Sequence, residues 1–160
     1  MKVVILVGGQ GTRLRPLTCN TTKAMMPVLN HPFLDYVIHY LKLHNISDIV
    51  LTLSYLPEQI QEHFGDGSQF GANITYLIED SPLGTAGAVK NAEALLNESF
   101  FVFNGAIFTD IDLTNMMNVH QERKADISLA LTPVDDPTAY GVVETDAEGR
   151  VMRFVEKPSW

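Results

Sequence analysis

Hydrophobic positions in this chain follow two rhythms that alternate along its length. Near-continuous apolar runs at Lys2–Val7, Asp48–Leu53, Asn73–Ile78 and Phe100–Asn104 read as strands with both faces covered. Between the first two, Leu34, Val37, Ile38 and Leu41 recur at the i, i+3, i+4, i+7 spacing that puts four side chains on one face of a helix. Pro57 opens a short helix, because a missing N–H costs nothing in a first turn, and the Ala-rich stretch Thr85–Leu96 forms another.

Farther on, a helix is expected from about Thr114 to Lys124, capped by Thr114 or Asp112, then a strand over Asp126–Thr132. The segment "YGVVETDAEGRVMRFVEKP" reads as a hairpin around Asp146-Ala147-Glu148-Gly149, a polar turn with glycine at its end. Strand–helix alternation predicts an α/β fold: a Rossmann-like open, mostly parallel sheet with helices on both faces, plus a C-terminal β-hairpin. If the strand order begins 3-2-1-4, the loops after strands one and four lie side by side across the ligand crevice of such a sheet. No repeat, low-complexity stretch or linker interrupts the chain, so residues 1–160 are expected to form a single domain. The chain stops at Pro158-Ser159-Trp160 directly after a strand. The expectation is a domain cut at its C-terminus, with an uncovered sheet edge that favours self-association into a homo-oligomer.

With 160 residues, 46% of them hydrophobic, the chain can bury a sizeable core. A formal charge of -8 argues against nucleic-acid and membrane-surface partners, which need a positive field across the contact. A small polyanion needs only a few well-placed cations. Cys19 is the only cysteine, and no early apolar run reaches signal-peptide or membrane length, which points to a soluble, reduced, cytoplasmic protein. The five histidines lack the paired spacing of a zinc site.

Candidate chemistry begins where the first strand ends. In "GGQGTRLRPLTCNTTKAMMPV", Gly8 to Val28, the glycines let backbone amides approach a ligand, while Arg13, Arg15 and Lys23 bring positive charge. Those three are among only eleven Lys and Arg residues in an acidic chain, so their clustering is informative. The arrangement suits phosphate, Arg13 as a two-pronged donor and Lys23 as a mobile point charge. A dinucleotide fingerprint is absent, since Leu14 stands where its third glycine belongs, and no Gly-Lys-Ser/Thr follows to make a P-loop.

The same residues resemble the sugar-phosphate nucleotidylyltransferases, or nucleotide-sugar pyrophosphorylases, which include mannose-1-phosphate guanylyltransferases and glucose-1-phosphate thymidylyltransferases. "GGQGTRLRPLT" with "KAMMPV" resembles the family's nucleotide signature, "PLGTAGAV" (82–89) its base-contacting loop and "VEKP" (155–158) its sugar-phosphate motif. The resemblance implies that Gly8, Gly9, Gly11, Thr12 and Arg13 hold the nucleoside triphosphate, that Arg13 and Lys23 are catalytic, and that Glu79 and Gly84 meet the base. It implies sugar 1-phosphate contacts for Gly141, Glu156 and Lys157. Where the family has proline before its catalytic lysine this chain has Thr22, so a looser Lys23 segment is expected.

The implied reaction is attack of a sugar 1-phosphate oxygen on the α-phosphorus of a nucleoside triphosphate, giving a nucleotide-sugar and pyrophosphate. Such a reaction needs positioning and charge neutralisation, and two cations fall short of the charge of both substrates, so Mg²⁺ is implied. The resemblance places a metal-binding aspartate directly after Asn104-Gly105. This chain has Ala106 there, with no oxygen to offer, so metal binding and turnover are expected to be impaired. Asp110 and Asp112 are expected to point elsewhere, Asp112 as part of the next helix's cap. The alternative reading is a noncatalytic nucleotide-binding or regulatory paralogue. A nicotinamide- or flavin-binding domain fits less well without the full glycine fingerprint.

Overall fold

The computed structural model of the protein describes residues 1–158. Two compact units divide it, Met1–Asp112 and the chain from Leu113 onward.

The first unit opens on β1 (Lys2–Leu6), followed by a long loop that contains a two-strand ladder of β2 (Pro27–Val28) and β3 (His31–Pro32). Then come α1 (Phe33–Leu43), β4 (Asp48–Leu53), α2 (Pro57–Phe64), β5 (Asn73–Ile78), α3 (Gly84–Asn91) and β6 (Phe100–Asn104). The four longer strands form one parallel sheet in the order β5-β4-β1-β6, the expected 3-2-1-4 arrangement. β1 is central: Val3, Val4 and Ile5 are wholly buried, which is why the run carries no polar alternation.

Crossovers between parallel strands are right-handed, so α1 and α2, leading away from β1 in one direction, and α3, leading back past it, cover opposite faces. On the α3 side, Val4, Val50 and Ala92 form a cluster edged by Leu6, Leu77, Leu95, Leu96 and Phe100. On α1, all four residues of the expected stripe, Leu34, Val37, Ile38 and Leu41, are buried. Burial of such side chains contributes about 2 kcal/mol each. The third helix is shorter than expected. After Asn91 the chain tightens into a 3-10 turn, Glu93–Leu95, because Ala92 must seat fully against Val4 and Val50, and Leu95 N–H then bonds to Ala92 O at 2.9 Å.

On α1, Tyr40 donates its hydroxyl to the carbonyl of Ile111. Burial, reinforced by the negative charges of Asp110 and Asp112, pushes the Tyr40 phenol above its ordinary pKa of 10.0. Its neutral form is favoured by the fold, so this contribution is complete below the unfolded-state pKa and lost as pH rises through the folded one. Alkaline unfolding followed by circular dichroism should therefore show a shallower loss of stability above about pH 10 in Tyr40→Phe than in the parent.

The second unit contains α4 (Leu113–Glu122) and the antiparallel hairpin of β7 (Gly141–Thr145) and β8 (Val151–Glu156). α4 begins at Leu113, placing Asp112 at the N-cap position and Thr114 inside the helix. It ends before Lys124, which adopts a left-handed φ of 50° while Ala125 N–H reaches back to His120 O at 3.1 Å. The expected hairpin turn is present. The Asp146 carboxylate accepts from the N–H groups of Glu148 and Arg150, at 3.1 and 2.7 Å, and Gly149 supplies the φ of 81° that closes the turn.

The strand expected over Asp126–Thr132 does not form: residues 127–134 have no regular structure. Period-two apolar patterning is there, but a strand exists only by pairing, and β7 and β8 pair solely with each other among the described residues. Ile127, Leu129 and Leu131 are left 79, 50 and 54% exposed.

Candidate functional site

The carboxyl ends of the parallel strands carry the loops that the sequence singled out. Gly105 donates its N–H to Leu6 O at 2.9 Å, and a Cβ on it would sit 2.9 Å from a Val7 methyl. The turn containing Ala106 therefore lies directly alongside the start of the glycine loop, as a 3-2-1-4 order requires.

That loop has little regular structure, yet it is fastened along its length. Gly11, at φ 61°, leads into a 3-10 turn at Thr12–Leu14, and Lys23–Met25 forms another. Thr18 Oγ1 donates to Gly11 O at 2.7 Å, Ser54 Oγ to Gly8 O at 2.7 Å, Tyr55 to Cys19 O at 3.2 Å and Gln59 Nε2 to Asn20 O at 2.7 Å. A Cβ on Gly11 would stand 3.3 Å from Lys23 Cβ, so the two ends of the loop meet there. Thr22 corrects the expectation of a looser lysine segment. It is fully buried at φ -77°, near the value proline would impose, and its hydroxyl accepts from Met25 N–H at 3.3 Å, capping the turn that begins with Lys23.

Ser54, Tyr55 and Gln59 were not singled out in the sequence. The available signal was position: polar groups immediately past the carboxyl end of the second parallel strand border the same crevice.

Arg13, Arg15 and Lys23 are exposed, and no ion pair among the described residues involves them. Their charge faces solvent or a ligand. Nothing lies within 4 Å of where a Cβ on Gly9 would be, so packing gives no reason for its bareness.

At the end of β5, Glu79 N–H donates to Leu53 O at 2.7 Å while Glu79 Oε2 accepts from Leu83 N–H at 3.2 Å, just ahead of α3. Gly84 opens that helix at φ 71° with open space beside it. Glu79, Gly84, Ala106 and the glycine loop thus share one end of one sheet.

In the second unit, Gly141 pairs with Glu156 across the hairpin, and a Cβ on it would stand 2.5 Å from the Phe154 ring and 3.1 Å from Glu156 Oε2. Lys157, at φ 44°, donates its N–H to Tyr140 O at 2.9 Å and holds its ammonium 3.9 Å from Glu156. The hairpin brings these three residues together at one end.

Ala106 offers a magnesium ion no side-chain oxygen, and among the described residues no three His, Cys, Asp or Glu side chains are grouped to hold a metal. Asp112 is 3.8 Å from His44 at the end of α1, and both Asp110 and Asp112 act on the Tyr40 hydroxyl.

Residues 2–160 match the sequence profile described as nucleotidyl transferase. The chain belongs to the nucleotidyl transferase family. It is 43% identical over 155 residues to a mannose-1-phosphate guanylyltransferase of Mycobacterium tuberculosis, covering 96% of this chain and 43% of that protein. Its fold superposes with a TM-score of 0.89 on a putative glucose-1-phosphate thymidylyltransferase from Bacillus anthracis, at 30% identity over 99% of this chain and 65% of that one. HddC from Yersinia pseudotuberculosis, solved in complex with GMP-PN, gives 0.81 at 32% identity, covering 99% and 70%. The chain spans under half the length of the Mycobacterium relative and about two thirds of the two solved chains.

Proposed function

We propose that this chain carries the nucleotide half of a site for nucleotidyl transfer from a nucleoside triphosphate to a sugar 1-phosphate, giving a nucleotide-sugar and pyrophosphate. One observation carries the reading: a glycine loop fastened at the carboxyl end of the central strand, with three cations that no acidic side chain of the described residues occupies. In this reading Gly8, Gly9, Gly11, Thr12 and Arg13 bind the phosphates. Arg13 and Lys23 stabilise charge at the phosphorus under attack, and Gly141, Glu156 and Lys157 serve the sugar phosphate.

Guanine is the base this site suits. Glu79 has one carboxylate oxygen bonded to Leu83 N–H and no partner among the described residues for the other. A carboxylate only accepts, and guanine presents two adjacent donors on its Watson–Crick edge. Glu79→Gln keeps the oxygen for Leu83 and should reduce guanine nucleotide affinity about tenfold, measured by calorimetry, with little change in melting temperature.

Family members commonly work with Mg²⁺, and in this reading Ala106, which offers a cation no side-chain oxygen, impairs turnover. The same donor set favours a second reading, a noncatalytic nucleotide-binding or regulatory paralogue. A cytoplasmic location and homo-oligomer formation belong to the proposal, and an exposed, unpaired Cys19 agrees with the first.

The test is titration with GTP, UTP and dTTP, with mannose 1-phosphate added and pyrophosphate release followed. Saturable, guanine-selective binding with release near background supports impaired transfer or the noncatalytic paralogue; brisk release overturns both impairment and the paralogue. Absence of saturable nucleotide binding overturns the whole reading.

A further inference from the structure

Basic side chains of this acidic protein gather in a second place besides the glycine loop. Three of its five histidines, His31, His39 and His63, stand with Lys42 beside α1. A cleft of about 350 Å³ opens there, wholly within the first unit, lined by α1 and by the 3-10 turn at Ser68–Phe70. Asp35, Ile38, His39 and Lys42 fall at the i, i+3, i+4, i+7 spacing that turns them to one side of the helix, and the cleft runs along that side.

Its apolar part is already in place. Ile38 is buried, Tyr36 is held by its hydroxyl bond to Val28 O at 2.8 Å, and the Phe70 ring packs 4.9 Å from Phe64 and 5.5 Å from His63. Its charges are unequally occupied. Asp35 is the one carboxylate lining the cleft among the described residues, and both its oxygens are engaged, Oδ1 2.9 Å from His63 Nε2 and Oδ2 3.7 Å from His31 Nδ1. His39 and Lys42 are exposed and enter no ion pair among the described residues. The Lys42 ammonium lies over the turn, 2.7 Å from where a Cβ on Gly71 would be, and Gln69 adds an amide.

We infer that this cleft is a second binding site, for a planar aromatic ring that carries an anionic group. The ring covers Ile38 against Tyr36 and Phe70, and the anion meets Lys42 and His39. Neither Arg13 nor Lys23 lines it, so the site stands apart from the nucleotide site proposed above. Other ligand classes fit less well. A cation would face Lys42 with Asp35 already engaged, a bare anion would leave the aromatic wall in water, and a neutral ring would leave the ammonium unpaired.

The experiment is a ¹H–¹⁵N NMR titration of the chain with 1-naphthyl phosphate, and in parallel with inorganic phosphate, 1-naphthol and 1-naphthylmethylamine. Naphthyl phosphate should saturate with a Kd of about 1 mM or tighter, shifting the amides of Ile38, Lys42 and Phe70, and the other three should bind at least about fivefold more weakly. Replacing Lys42→Gln and His39→Gln together should weaken naphthyl phosphate at least about fivefold, and Lys42→Arg should stay within about twofold of the parent. Both side chains are exposed, so a thermal melt should show the fold unchanged. Arg13→Ala should leave the affinity within about twofold, since it removes nothing from the cleft. Unsaturable shifts at α1, a naphthylmethylamine that binds as tightly, or an unaltered affinity in the double variant overturns the inference. If the shifts fall instead on the glycine loop and vanish in Arg13→Ala, the probe has chosen the nucleotide site; the second site is then wrong while the nucleotide reading stands.

Discussion

Arg13→Ala should bind GDP-mannose between about tenfold and a hundredfold more weakly than the parent chain, because a charge-assisted bond to phosphate contributes about 1.5–3 kcal/mol. The side chain is exposed and belongs to a 3-10 turn with no buried residue, so its removal opens no cavity. Melting temperature should stay within about 2 °C, as for most exposed substitutions. Titration calorimetry and a thermal melt on the same sample separate the two effects. Arg13→Lys keeps the charge and loses the two-pronged geometry, so it should recover only part of the affinity. An Arg13→Ala chain that binds normally would remove the glycine loop from the phosphate site.

Gly67→Ala should lower the stability of the first unit by about 3 kcal/mol and its melting temperature by about 10 °C. Two costs combine. Gly67 sits at φ 87°, where an L side chain is strained, and a Cβ there would lie 2.7 Å from Ile74 Cγ1 and 2.9 Å from Ala72 O. One neighbour is the main chain and the other a buried residue of β5, so neither can swing aside. Gly71→Ala is the control. It shares the left-handed backbone, at φ 66°, but a Cβ there would meet only the far end of the Lys42 side chain, which can swing aside, so the backbone cost of about 1–2 kcal/mol remains. Chemical denaturation of the two variants measures the difference, and equal losses would show that backbone strain, not contact, governs this turn.

The sheet was legible because its signal is local and one-dimensional. Parallel strands buried on both faces must be apolar on both, as β1 and β4 are, and the edge strands β5 and β6 also stand where their apolar runs place them. The stripe of α1 was equally plain. Two elements were not legible, and each depends on a partner distant in sequence. α3 ends early because Ala92 packs on Val4 and Val50, and residues 127–132 stay unpaired although they alternate correctly. Pattern reports what a segment is able to do, and pairing decides what it does.

The site divides in the same way. Gly8, Gly11, Arg13 and Lys23 announce themselves by composition, whereas Ser54 and Gln59, which hold the loop, are ordinary polar residues until the fold brings them beside it. Thr22 is the instructive case. From sequence it is a lost proline, and in the structure it is a buried cap that holds the turn in another way.

Thr18, Ser54, Tyr55 and Gln59 all deliver their hydrogen bonds to carbonyl oxygens of the Gly8–Lys23 segment. Anchoring from that side consumes the acceptors of the peptide groups and leaves donors as what the crevice can present, so the segment is polarised toward anions before any arrives. Its ordering entropy is spent during folding, and ligand capture should proceed with little stiffening of the backbone and a correspondingly small heat-capacity change.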